Sequence, residues 1–579
     1  MVIFALTSSS SSKLKQHSHR SFSESLMEDS IKDAEATIHQ WISPDSSSSS
    51  SSFCCTFSLF SNKNREEAKR FIGAVTTLHS AMVKLVSVNP ASTKLIKAES
   101  LLKLSMNHLS KEFYRILKSN RRYLDPESVS VRSRNVSKDD DAEAMADLKM
   151  IADCMTSSGH GKECFKIYKK IRHSIIVEAL EQLGFENLTL SQVQRLDWES
   201  TEKKIRAWLR AARKAVTTLF YGERILSDHV FSSSSSSSAI RESSFAEITL
   251  QSALALFSFP GHVAKSRKTP EKIFLTLDVY QCLVELTPRI DEVFGCYDST
   301  LSSVRSVIAG ALGSLEEAVV SMIDEFESSI SKESSKSVIS GGGIHQLTRY
   351  VMNYIVFLAD YSEVLAKIIP AKTTSFGSPE EEESTSSSSS SSSPLAKRIS
   401  WLILFLLCKI DAKSRLYNDV ALSYLFLINN LHYVVVKVRT SNLKEVLSEG
   451  WLVKHEGKVK KYVAKFEKIV WGQVMITSLP TADEEEDGAE EFVRGFSDRF
   501  EEAYKRQTGW VVPDSELRDE IKVSVAMMLI PAYTEVYKKY RVGLRKNIGF
   551  APDDIGNYIS DLYFGSGGSG CVSSVHSSV

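Results

Sequence analysis

Five cations stand close together near the end of the chain: Lys538, Lys539, Arg541, Arg545 and Lys546, at the close of the stretch Arg499 to Lys546. At about 100° per residue, a helix continuing from Pro531 places them on one side and Tyr533, Val536, Tyr537, Tyr540 and Leu544 on the other. Such a helix packs on a core through its tyrosines and holds its cations in water. There they either form an idle solvated face or meet an anionic surface. The stretch alone leaves both open.

Other groups capable of chemistry point away from catalysis. His345 lies near Arg349 and His432 beside Asn430, yet no Ser, Cys or carboxylate stands at a spacing that identifies a nucleophile or an orienting partner. Both histidines read as structural, and the chain as a non-enzyme. Gly565-Ser-Gly567-Gly-Ser-Gly570 fits G-x-G-x-x-G letter by letter, but it follows a helix with too few residues after it for a βαβ unit. It reads as a flexible tail. Gly341-Gly-Gly343 lacks the Lys-Ser/Thr of a phosphate loop and reads as a hinge or helix start. The 8 cysteines include no C-x-x-C pair and no His at metal-ligand spacing, which implies no metal, no cofactor and a reducing compartment. Lys plus Arg number 71 and Asp plus Glu 71. With no global positive charge to recruit nucleic acid, any electrostatic function rests on local segregation.

The elements that must position these groups are helical throughout. Phe71, Val75, Leu78, Met82 and Leu85, then Leu101, Leu104, His108, Tyr114 and Leu117, recur at helical spacing on either side of Pro90, which predicts an antiparallel pair. Ile31 to Trp41 reads as a short amphipathic helix. Asp139 to Asp141 open a helix that Gly159-His-Gly161 ends. Thr189 with Gln192, and Ser314 with Glu317, fit the capping box. Trp198, Ile205, Trp208, Leu209, Ala212, Val216 and Leu219 repeat at three and four residues, with Lys203, Lys204, Arg206, Arg210, Arg213 and Lys214 on the other faces. That is a basic amphipathic helix, suited to a solvated face, a membrane or a partner. Thr269-Pro270-Glu271 is a helix start. Strand signals are nearly absent, and the apolar segments Trp401 to Cys408 and Val420 to Val438 read as buried helices rather than membrane spans.

The expected fold class is all-α: an elongated rod of stacked antiparallel helical bundles, a cullin-repeat-like solenoid with some coiled-coil character. The serine runs suggest boundaries. Residues 1–60 read as a disordered Ser-rich start with a short helix, 61–231 as an N-terminal bundle and 232–243 as a linker. Residues 244–565 read as C-terminal bundles with disordered loops near 371–394 and 481–490, and 566–579 as a tail.

Several stretches, in order, are similar to the seventy-kilodalton subunit of the exocyst in its plant form. They are Val193-Gln-Arg-Leu196 with Trp198, Ile205-Arg206 and Ala211-Ala-Arg213; Pro270-Glu-Lys-Ile-Phe274 with Leu277-Asp278; and Leu347-Thr-Arg-Tyr-Val-Met-Asn-Tyr-Ile355. Asn429-Asn-Leu-His-Tyr433, Thr508-Gly-Trp-Val-Val-Pro513, Ile530-Pro-Ala-Tyr533 and Ala551-Pro-Asp-Asp554 complete the series. The resemblance implies a subunit of the complex that tethers secretory vesicles to the plasma membrane in exocytosis, cytoplasmic and peripheral at that membrane. It implies other exocyst subunits and small GTPases as partners, and an anionic phosphoinositide membrane contacted through phosphatidylinositol 4,5-bisphosphate. The lipid-binding role falls on Lys538, Lys539, Arg541, Arg545 and Lys546. Where the family has a longer, more basic, tyrosine-containing link, this chain reads Asn547-Ile-Gly-Phe550, which implies a weaker or narrower patch. The alternative is a divergent helical scaffold without lipid binding, serving defence-related secretion or autophagy.

Overall fold

A computed structural model describes residues 22–42, 59–60, 65–119, 139–232, 237–295, 298–369, 393–476, 486–540 and 550–565. Among the described residues there is no β-strand; the one β-type contact is an isolated bridge between Val511 and Phe564. The helices are α1 (Phe22–Ile42), α2 (Arg65–Val88), α3 (Thr93–Ser119), α4 (Asp139–Ser157), α5 (Gly161–Gln182), α6 (Leu190–Arg195) and α7 (Trp198–Lys214). A π-helical segment, Ala215–Phe220, leads into α8 (Tyr221–Val230), followed by α9 (Ser237–Ala264), α10 (Ile273–Phe294) and α11 (Asp298–Lys332). Then come α12 (Gln346–Ala359), α13 (Ser362–Ile368), α14 (Pro394–Ser414), α15 (Val420–Arg439), α16 (Leu443–Val446) and α17 (Glu449–Val470). The last are α18 (Glu486–Gln507), α19 (Ser515–Tyr540) and α20 (Pro552–Ser560).

The chain divides into two compact units, one of residues 1–266 and 279–315, the other of 267–278 and 316–579. In the first, α1 packs on α2, α3 on α2 and α5, and α9 on α5, α6 and α8. Phe71, Val75, Leu78 and Leu85 of the expected α2 stripe are buried. On α3, Leu101 and Leu117 of the expected stripe are buried, but Leu104 and Tyr114 are exposed, and Leu102, Met106, Leu109 and Phe113 are buried as well. Several overlapping i, i+3, i+4 series exist in this apolar-rich helix, and the partners α2 and α5 select among them. Trp208 is buried and its Nε1–H donates to Leu256 O at 2.7 Å, so the large ring gains burial without stranding its polar atom. Arg172 and Glu223 form a wholly buried ion pair, Nε to Oε2 at 2.8 Å, and the Tyr168 hydroxyl donates to the same carboxylate at 3.0 Å. With its charges matched and hydrogen-bonded, this cluster bears the desolvation of α5 against α8.

In the second unit α15 lies centrally, packed against α12, α14 and α17, while α19 packs on α18 and α20. Phe326 stacks on Tyr354 with centroids 3.7 Å apart, and Phe274 meets Tyr354 at 5.4 Å.

Several expectations change on contact with the fold. Ser314 and Glu317 do not start a helix: they lie inside the unbroken α11. The capping-box letters require a non-helical first residue, and here Val304, Ile308, Ala311, Leu315 and Val319 are buried along one continuous face that carries the helix through. At Thr189 the signal holds: Gln192 Oε1 accepts from the Thr189 N–H at 2.8 Å, and α6 follows. Helix α1 begins nine residues before the expected Ile31. Residues 237–243 of the expected linker belong to α9, and the division between compact units falls elsewhere. By length and composition alone, Arg65–Val88, Thr300–Lys332 and Val420–Arg439 are long and apolar enough to cross a membrane, whereas the residue pattern argued against spans. In the fold, Arg65–Val88 and Val420–Arg439 each have an apolar face covered by neighbouring helices, and Thr300–Lys332 buries Val304, Ile308, Leu315, Val319 and Phe326.

Candidate functional site

Helix α19 has the two faces expected of it over the described residues. Tyr533 and Val536 are buried, and Lys538 is exposed. The Tyr533 ring lies 4.4 Å from that of Phe496 and 5.9 Å from that of Tyr537. Its hydroxyl donates to Phe550 O at 2.7 Å, tying α19 to the residue that leads into α20. Burial is the main reason its phenol is pushed up to about 12. Lys539 belongs to α19, but its side chain lies outside the described residues, as do Tyr540's side chain and Leu544, Arg541, Arg545 and Lys546. The structure thus describes the packed face of α19 and one of the five candidate cations.

What holds this face in place is a polar clasp built from segments far apart in sequence. Gly341 and Gly342 adopt φ of 69° and 71°. A Cβ at Gly341 would meet Gly509 O at 2.6 Å, so only glycine lets this turn approach the segment before α19. Val511 N–H donates to Gly341 O at 2.8 Å, and Val512 N–H to Tyr563 O at 3.0 Å. The buried Asn429 amide donates to Gly342 O and Val511 O, both at 2.7 Å. Asn430 Oδ1 accepts from His345 N at 2.9 Å and from the Thr348 hydroxyl at 2.6 Å. Tyr563 is buried and donates to Gln507 Oε1 at 2.8 Å. The paired asparagines inside the apolar α15 satisfy backbone groups that would otherwise be stranded.

The histidines are absorbed by this framework. His345 Nδ1 accepts from Leu347 N at 3.0 Å, capping α12, so the glycine run is the approach to a helix start. His432 Nε2 is 3.3 Å from Asp514 Oδ1. That oxygen already accepts from Leu517 N at 3.0 Å as the cap of α19, and no nucleophile accompanies the pair.

A family profile describing the C-terminal region of the Exo70 exocyst complex component matches residues 206–561, and the profile of the N-terminal region matches 30–119. The chain belongs to the Exo70 family. This Exo70 chain is 30% identical to Exocyst complex component EXO70A1 of Arabidopsis thaliana over 72% of its own length and 66% of that relative. It is 26% identical to Exocyst complex component EXO70E2 of the same plant over 86% of its length and 83% of the relative. The chain spans about two thirds of the length of EXO70A1 that it matches. Its fold resembles that of the exocyst component Exo70p of S. cerevisiae, with a TM-score of 0.56 at 16% identity, covering 93% of this chain and 99% of that one. The helical Exo70 fold therefore holds for this chain.

Cys154 and Cys164 are buried free thiols, and burial pushes the Cys154 thiol up to about 11. No group of metal-ligating residues occurs among the described residues. The basic amphipathic helix α7 is largely neutralised in place: Lys203 pairs with Glu199 at 2.7 Å, Arg206 with Glu202 at 2.7 Å, Arg213 with Glu285 at 3.7 Å, and Lys204 with Glu186. Sequence reasoning noted the asparagine pair of α15 but not its partners, the backbone groups of Gly342, Val511 and His345. It passed over the lysines of α17, whose spacing is visible only once α17 is known to be one helix.

Proposed function

We propose that this chain is a non-enzymatic exocyst subunit that helps hold secretory vesicles at the plasma membrane. In this proposal the cations Lys538, Lys539, Arg541, Arg545 and Lys546 touch phosphatidylinositol 4,5-bisphosphate, and other exocyst subunits and small GTPases are the protein partners. Membership of the Exo70 family over residues 206–561 carries the assignment. The exposure of Lys538 on the face opposite buried Tyr533 supports the lipid contact. A cation near an anionic leaflet contributes about 1 kcal/mol, so five give at most roughly 5 kcal/mol before ordering costs. The test is co-sedimentation of the full chain with vesicles containing or lacking phosphatidylinositol 4,5-bisphosphate. Replacing all five cations by glutamine is expected to lower the lipid-dependent pelleting at least ten-fold. Unchanged pelleting removes the lipid site, and recovery of other exocyst subunits with the same variant leaves the subunit role standing.

A further inference from the structure

The sequence directs attention to α7 as the basic helix, yet α7 keeps most of its cations paired. The opposite holds on α17. Lys454, Lys458, Lys461, Lys465 and Lys468 are separated by four, three, four and three residues, which at about 100° per residue confines them to an arc of about 80°. At about 1.5 Å per residue the stripe runs for roughly 21 Å. Lys454, Lys461, Lys465 and Lys468 are exposed and Lys458 is partly so. The core side of the same helix, Leu452, Val459, Phe466 and Val470, is buried away from them.

No ion pair engages Lys458, Lys461, Lys465 or Lys468 among the described residues. Of the acids of α17, Glu449 is its first residue, Glu456 pairs with Arg439, and Glu467 is buried, where desolvation raises its carboxyl. Lys465 instead lies over the Tyr462 ring, 6.0 Å from its centroid, a contact that leaves the charge in place. In a chain whose charges cancel overall, this is a segregated field of one sign.

We infer that the Lys458, Lys461, Lys465 and Lys468 face of α17 is a second membrane contact, taking the surface of an anionic phospholipid bilayer. The observation that favours a bilayer over an acidic polypeptide or a nucleic acid is the form of the site. It is a stripe of lysines along one helix face, containing no arginine and spread over roughly 21 Å. Lysine is a compact, strongly hydrated point charge, which suits a laterally averaged plane of headgroups. The contact lies on a different helix from Lys538 and does not depend on the C-terminal cations.

Lysine footprinting tests this on the unmodified full chain. Acetylation rates of individual lysines are compared by mass spectrometry with neutral phosphatidylcholine vesicles and with vesicles containing phosphatidylserine. Lys458, Lys461, Lys465 and Lys468 are expected to slow at least three-fold on the anionic vesicles only, while Lys203 on α7 keeps its rate. Unchanged rates at the four lysines overturn the inference, whatever Lys538 does. Protection by polyglutamate or DNA but not by vesicles also overturns it, and assigns the face to a protein or a nucleic acid. Protection at Lys538 alone keeps the proposed C-terminal site and removes this one. Each such cation multiplies membrane affinity about five-fold. The variant K458Q/K461Q/K465Q/K468Q is therefore expected to bind anionic vesicles at least ten-fold more weakly, and K458R/K461R/K465R/K468R as the parent does.

Discussion

Protonating His345 would remove the lone pair on Nδ1 that accepts from Leu347 N and caps α12. The ring is 6% exposed, and burial, aided by the nearby Lys413, lowers its pKa below the ordinary histidine value. The unfolded chain therefore takes up the proton first, so stability rises with pH across the interval between the folded and ordinary values. Acidification from about pH 7.5 to about pH 5.5, spanning the ordinary histidine range, should loosen the second unit. Protection factors of the amides in segment 345–359, corrected for the intrinsic pH dependence of exchange, should fall on that change. His345→Asn keeps a good capping acceptor that does not titrate, and the fall in protection should largely vanish in it. Equal acid sensitivity in parent and variant would place the titration elsewhere. His108 and His229 are also lowered by burial, but both belong to the first unit.

Two helix starts separate what local chemistry decides from what packing decides. Asp419 is a working cap: Oδ1 accepts from Ala421 N at 2.8 Å and Leu422 N at 3.2 Å. The Arg506 guanidinium grips both its oxygens at 2.5 Å. Burial pushes that carboxyl up, but these hydrogen bonds outweigh it and hold it below the usual value. Ser314 has capping letters and no cap, since it lies within α11. Asp419→Ala should therefore cost about 1–2 kcal/mol of stability. Ser314→Ala should cost nothing and gain up to about 0.5 kcal/mol from helix propensity. Denaturant midpoints of the two variants decide the matter, and a loss at Ser314 comparable to that at Asp419 would contradict an unbroken α11. The same contrast explains what the sequence disclosed. Helical period, Gly159 as a break and the Tyr533 face are local in origin and were legible. The choice of buried stripe on α3, and the meeting of Gly341, Asn429, Val511 and Tyr563, depend on contacts between residues far apart in sequence, such as Gly341 and Val511. No periodicity encodes them.

At the scale of the molecule, cations and acids balance at 71 each, so no long-range field draws the chain to a membrane. In the proposed contacts, attraction comes from two local faces: Lys538 on α19, opposite buried Tyr533, and the lysine stripe of α17, where Glu467 is turned inward. Each such face supplies about 1 kcal/mol per cation, less the cost of ordering long side chains, so one copy should release its membrane readily. A second copy on the same scaffold converts the next encounter into an intramolecular one at millimolar effective concentration. Fusing the full chain to a parallel dimeric coiled coil should therefore tighten binding to anionic vesicles by at least about 10²-fold, within the range for linked weak modules. Co-sedimentation at matched protomer concentration reads this. Near-equal binding of monomer and dimer would mean that a single copy already saturates its membrane contact, and that weak, shared attachment is not how this chain works.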